Sequence, residues 1–133
     1  MAKIIRYSKL LDEYVGDNVF DCSRPNVLSN PFTHIKNKKT LAKKVVDTRD
    51  EAVRLYEIYF DEMISKNQTF KDEFERIYKA YNEYDTIYLG CYCNPEKEKC
   101  HTEIIEKKLL QRALKDKIQE EYRKRKGQKA EKE

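Results

Sequence analysis

The sequence has no long apolar run, so nothing in it matches the length of a membrane-spanning helix. Charge of one sign is also scarce, because 28 basic residues nearly balance 24 acidic ones and leave a net charge of +4. Three of those four net positive charges fall from Lys115 onward, so the body of the chain is close to neutral. This is a weak basis for nucleic-acid binding. The N-terminus Met1-Ala2-Lys3-Ile4-Ile5-Arg6 lacks the apolar core and cleavage pattern of a signal peptide, which predicts a cytoplasmic protein with reduced cysteines. There is no internal repeat. Proline occurs only three times, and two of the three fall in one short segment.

At 133 residues the chain is expected to form a single domain with a real core, residues 1–120, followed by a charged, disordered tail, 121–133. Lys3 to Tyr7 and Val15 to Cys22 read as strands. Between Ser23 and Phe32, two prolines and no periodicity predict a fixed loop. Lys36 to Lys44 reads as a solvated, lysine-rich connection.

Thr48-Arg49-Asp50-Glu51 forms a capping box, and Ala52, Leu55, Tyr56, Tyr59 and Met63 then recur at helical spacing. Ser65 to Thr69 breaks that helix. Phe70, Phe74, Ile77, Tyr78 and Tyr81 mark a second one. The tyrosines and phenylalanines on these stripes share faces with aliphatics, which makes them core and not stacking surfaces for bases.

Ile87, Tyr88, Leu89 and Cys91 form a compact run suited to a strand buried on both sides. A last helix starts near Thr102, with Ile105, Leu109, Leu110, Ala113, Leu114 and Ile118 on one face. The order predicts an α/β fold: a small, at least partly parallel sheet covered by helices, in one domain with a basic C-terminal tail.

Cysteine and histidine are few but concentrated. Three of four cysteines and one of two histidines lie between Cys91 and His101. Cys91 and Cys93 project to the same side of an extended strand. Cys100 and His101 return after a six-residue loop at the start of a helix. Thiolate and imidazole donors converging from two sides of a loop make Cys91, Cys93, Cys100 and His101 a candidate zinc set, although a single residue between the first two cysteines is tight for one ion. A thiol at a helix N-terminus beside an imidazole also suits a nucleophile, with Cys100, His101 and Glu103 as the catalytic candidates. A third reading places a ligand at the strand ends, with helix N-terminal amides toward phosphate. Against all three, Cys91 and Cys93 are also ordinary small hydrophobes for a sheet, and Cys22 reads as core.

Arg24-Pro25, the loop Ser29-Asn30-Pro31-Phe32, and Gly90-Cys91-Tyr92-Cys93-Asn94-Pro95 followed by Cys100-His101 resemble a family of small bacterial and phage proteins, domain of unknown function 4326. There the loop is Gly-Asn-Pro-Phe, and the later motif is Gly-Cys-Trp-Cys, a proline, then Cys-His-Gly-Asp. Here Ser29, Tyr92 and Thr102-Glu103 depart from that pattern. The resemblance spans roughly Val19 to Leu110 and implies one shared site built from Arg24, Asn30, Cys91, Cys93, Cys100 and His101. With Phe32 and Asn94 beside them, these residues point to a nucleotide-like or phosphorylated small molecule: Arg24 for phosphate, Asn30 for a base or sugar. The alternatives are a zinc-stabilised module and a protein that binds a host factor. The tail run Arg123 to Lys126 is diluted by Glu120, Glu121, Glu131 and Glu133, and a solvated helix end is the better reading of it.

Overall fold

A computed structural model describes residues 2–23, 26–33, 44–45, 48–92 and 100–132. In chain order the elements are β1 (Lys3–Ser8), β2 (Val19–Asp21), β3 (Phe32–Thr33), β4 (Lys44–Val45), α1 (Arg49–Lys66), α2 (Gln68–Glu83), β5 (Thr86–Cys91) and α3 (Thr102–Lys132). The main sheet has the order β1-β5-β2, and both pairings are parallel. The α/β reading therefore holds. A separate two-stranded parallel ladder joins β3 to β4.

The late apolar run sits at the centre because it is buried on both faces. Along β5, Ile87, Leu89 and Cys91 point to one side and are all buried. That side meets Phe20 of β2 and the helices in a single core that includes Tyr56, Phe60, Phe70, Phe74, Ile77, Ile105 and Leu109. Edge-to-face contacts of Phe60 with Phe70 and Phe74, at 5.0 and 5.3 Å, lock α1 to α2. The aromatic stripes are thus core, as their spacing indicates.

The opposite face carries Ile5 and Tyr7 of β1 beside Tyr88 and Gly90 of β5. The loop after β1 covers it with Tyr14, whose ring stacks on Tyr88 at 4.3 Å and meets Tyr7 edge-on at 4.8 Å. Gly90 leaves room for Tyr7, because a Cβ there would lie 2.6 Å from the Tyr7 hydroxyl oxygen.

Local signals set the helix ends. The Thr48 hydroxyl accepts from the Glu51 N–H at 3.1 Å, as the capping box requires. Asn67 serves both neighbours: its N–H closes α1 on the Met63 carbonyl, and its side chain accepts from the Phe70 N–H of α2.

Two boundaries differ from the sequence reading. The second strand is only Val19–Asp21, and Val15 is 89% exposed in the preceding loop. Pairing with β5 defines that strand, helped by Asn18, whose side chain donates to the Thr86 carbonyl at 2.9 Å. α3 also continues through the expected tail to Lys132, although residues 117–126 are exposed. Lysine, glutamate, glutamine and arginine are strong helix formers, and a Glu120–Lys124 pair adds to them, so no core contact is needed to continue it. Among the described residues, no helix is long and apolar enough to cross a membrane.

Candidate functional site

The three main strands end in register at one edge. Ser8 pairs with Cys91, and Tyr7 and Asp21 both flank Gly90. The chain leaving each outer strand stays attached there: the Lys9 N–H donates to the Cys91 carbonyl and the Cys22 N–H to the Gly90 carbonyl, both at 2.8 Å. The N-terminus of α3 arrives at the same edge and brings Cys100 and His101 against Cys91.

These three residues form a buried cluster. Cys91, Cys100 and His101 are 8%, 2% and 5% exposed. His101 Nδ1 lies 4.0 Å from Cys91 Sγ and 3.6 Å from Cys100 Sγ. The other ring nitrogen, Nε2, is 2.6 Å from the Cys22 carbonyl oxygen. A carbonyl only accepts, so Nε2 carries a hydrogen and donates it. The ring of Tyr56 meets the imidazole edge-on at 5.1 Å. Tyr56 is held in turn, because its hydroxyl donates to the Leu28 carbonyl at 2.6 Å. Burial first, and then the neighbouring Cys22, keeps the Tyr56 phenol protonated far above its usual range.

Cys22 contributes its backbone carbonyl to this cluster. Its thiol is buried and directed at the Phe20 carbonyl, 3.8 Å away. Burial, with Asp21 nearby, pushes that thiol well above its ordinary range, so it remains a neutral core group.

Sequence reasoning missed a second, polar group at the same edge. Lys9 Nζ lies 2.7 Å from Asp21 Oδ2 and 3.2 Å from Ser23 Oγ, and sits 4.6 Å above the Tyr92 ring. Asp21 also accepts from the Ser23 N–H and hydroxyl. Its hydrogen bond to Asp21 chiefly raises the Lys9 amine above its usual value. Burial alone would raise the Asp21 carboxyl, but hydrogen bonds from Lys9 and Ser23 outweigh it and hold the group low. The missed signal was positional: Lys9 and Asp21 sit where β1 and β2 end.

Other sequence-predicted residues are distributed unevenly. Asn30 is buried, and its Nδ2 donates to the Ala52 carbonyl at 3.1 Å, which ties the loop to α1. Asn26 folds that loop by accepting from the Leu28 N–H, and Leu28 is fully buried. Phe32 opens β3. Glu103 is exposed and lines a shallow groove along α3 with Glu106, Lys107, Leu110, Gln111 and Leu114, apart from the cysteines. The Glu103 and Ile104 N–H groups are occupied by the Cys100 and His101 carbonyls, so those amides do not present themselves to an anion. Arg24, Cys93, Asn94 and the lysine-rich segment through Lys43 lie outside the described residues.

The donor set is suited to two kinds of chemistry. Two sulfurs and an imidazole nitrogen, all within 4.8 Å of one another, have the composition of a soft-metal site. The same thiols beside the imidazole Nδ1 are also the parts of a thiol–imidazole pair. Neither Cys100 nor His101 is exposed enough to meet a substrate directly from the described side of the site.

No curated protein and no solved structure matches the chain. Residues 5–111 match the family described as "Domain of unknown function (DUF4326)". The match runs from within β1 through both central helices, β5 and the cluster to the first part of α3, and the chain belongs to that family.

Proposed function

We propose that this domain binds a phosphorylated, nucleotide-like small molecule in the cytoplasm, at the carboxyl edge of its parallel sheet. The supporting observation is the shared ending of β1, β5 and β2 beside the Cys/His cluster, with Lys9 and Tyr92 at the same edge. Ligands of open parallel sheets collect beyond the carboxyl ends of the strands. Lys9 supplies a cation for phosphate, and the Tyr92 ring, 54% exposed, supplies a face for a base. Arg24 follows β2 by three residues in sequence and is the second phosphate-binding candidate. Phe32, Asn94 and Cys93 are its further sequence-based members.

Thermal-shift screening against nucleoside phosphates and sugar phosphates tests this reading. A ligand at 100 times its Kd stabilises by about 2.7 kcal/mol. At least one compound should raise the melting temperature, and Lys9→Ala should abolish that rise. A flat response across the panel, or an equal response in Lys9→Ala, contradicts it.

A second reading is an interaction module for a host protein. It is favoured by Leu110, Leu114, Ile118 and Tyr122, spaced four apart on α3 and 48–66% exposed. An exposed apolar stripe of this kind suits a partner's groove. A Leu114→Glu/Ile118→Glu variant should lose a partner retained by the wild-type chain from host lysate; equal retention by both refutes it.

A further inference from the structure

The buried cluster carries an inference independent of the ligand reading, since it lies on the helix-facing side of the sheet. We propose that Cys91, Cys100 and His101 are three protein ligands of a zinc-class divalent cation, with His101 coordinating through Nδ1.

Four observations support this. First, the spacing fits. With Zn–S of about 2.3 Å and Zn–N of about 2.0–2.1 Å, donors around a tetrahedral ion stand roughly 3.5–3.8 Å apart. Nδ1 is 3.6 Å from one sulfur and 4.0 Å from the other, and all three donors lie within 4.8 Å of one another, so side-chain adjustments of about 1 Å or less would close the site.

Second, the tautomer fits. The Cys22 carbonyl takes the Nε2 hydrogen, which leaves Nδ1 as the ring nitrogen that faces both sulfurs. A ligating histidine typically donates its other N–H to an outer carbonyl or carboxylate, which fixes the ring and raises its basicity.

Third, the donors come from different elements. Cys91 closes β5, while Cys100 and His101 immediately precede α3. An ion held by all three would clamp the central strand to the last helix across the intervening loop.

Fourth, the chain contains its own comparison. Cys22 is as deeply buried, at 1% exposure, yet its thiol points to a carbonyl and, among the described residues, joins no group of metal donors. Burial of a cysteine in this core therefore does not by itself gather donors. Thiolate and imidazole donors select zinc-class ions over magnesium or calcium, which prefer oxygen.

The test uses the full chain, purified under reducing conditions, stripped with chelator and titrated with Co²⁺ alone. The expected result is one Co²⁺ per chain, with a near-ultraviolet sulfur-to-cobalt charge-transfer band and the intense visible bands of a tetrahedral ion. One equivalent of Zn²⁺ should displace it. Cys100→Ser and His101→Ala should lose the spectrum, while Cys22→Ala should keep it. If the ligand variants misfold, the wild-type titration still decides. No charge-transfer band, or only the weak bands of an octahedral, adventitious ion, overturns the proposal. So does a spectrum that survives Cys100→Ser but is lost in Cys22→Ala. Phosphorylated ligands are absent from this titration, so it succeeds or fails separately from the thermal-shift screen.

Discussion

Replacing Gly90 by alanine should destabilise the domain through one identifiable collision. Gly90 faces Tyr7 across the β1–β5 pairing, and the Tyr7 ring lies over it. A Cβ at position 90 would stand 2.6 Å from Tyr7 Oη and 2.7 Å from Cζ. Relief requires the ring to move by several tenths of an ångström or more. Tyr7 is 8% exposed and packed edge-on against Tyr14 and Tyr88, so it has little room to move. Overpacking of this kind costs about 1–3 kcal/mol, and weakening the ring pairs adds about 0.5–1.5 kcal/mol per pair. The expected loss for Gly90→Ala is therefore about 2 kcal/mol, read as a lower urea midpoint at unchanged slope. Tyr7→Leu removes the ring from above Gly90 and carries its own packing cost. In the Tyr7→Leu background the alanine should become nearly free, leaving a coupling of about 1–2 kcal/mol between the two sites. If the two losses add to within about 0.5 kcal/mol, the residues do not meet and the assigned register of β1 on β5 is wrong.

Two further predictions concern the support of the site and its charges. Tyr56→Phe leaves the Leu28 carbonyl without its buried donor and should cost about 1–3 kcal/mol in urea unfolding; no measurable loss would remove Tyr56 as the anchor of the loop. Among the described residues, three carboxylates lie below their usual values in the folded state. Hydrogen bonds from Lys107 and Lys108 hold Glu57 low, and bonds led by that from Tyr78 hold Asp116 low. At Asp21, bonds from Lys9 and Ser23 overcome the effect of burial. A depressed folded value gives stability that is present above the unfolded carboxylate range and disappears as pH falls through the folded values. Melting temperature should therefore drop below about pH 4, and by less in Asp116→Asn; a flat profile from about pH 6 to pH 3 would contradict these pairings.

How much of this was legible in the sequence depended on the range of the interaction. The capping box at Thr48 and the stripe from Phe70 to Tyr81 are local patterns, and both produced the expected helices. The central strand was legible because burial on both faces removes polar alternation from Thr86–Cys91. The start of β2 was not, because Val15 looks like a strand residue until pairing with β5 excludes it. At the site, Cys91, Cys100 and His101 were legible from their own spacing. Lys9, Asp21 and Ser23 were not, because only the strand register brings them together. Asn30 was noticed as a polar residue in a fixed loop, but its partner, the Ala52 carbonyl, lies 22 positions away and leaves no local trace.

The most direct measurement of the central claim is the protonation of His101 by ¹H–¹⁵N NMR near neutral pH, assigned with a His34→Gln variant that removes the only other histidine. The structure predicts a hydrogen on Nε2, bonded to the Cys22 carbonyl, with Nδ1 the nitrogen that faces Cys91 and Cys100. A hydrogen on Nδ1 alone, with none on Nε2, would contradict it.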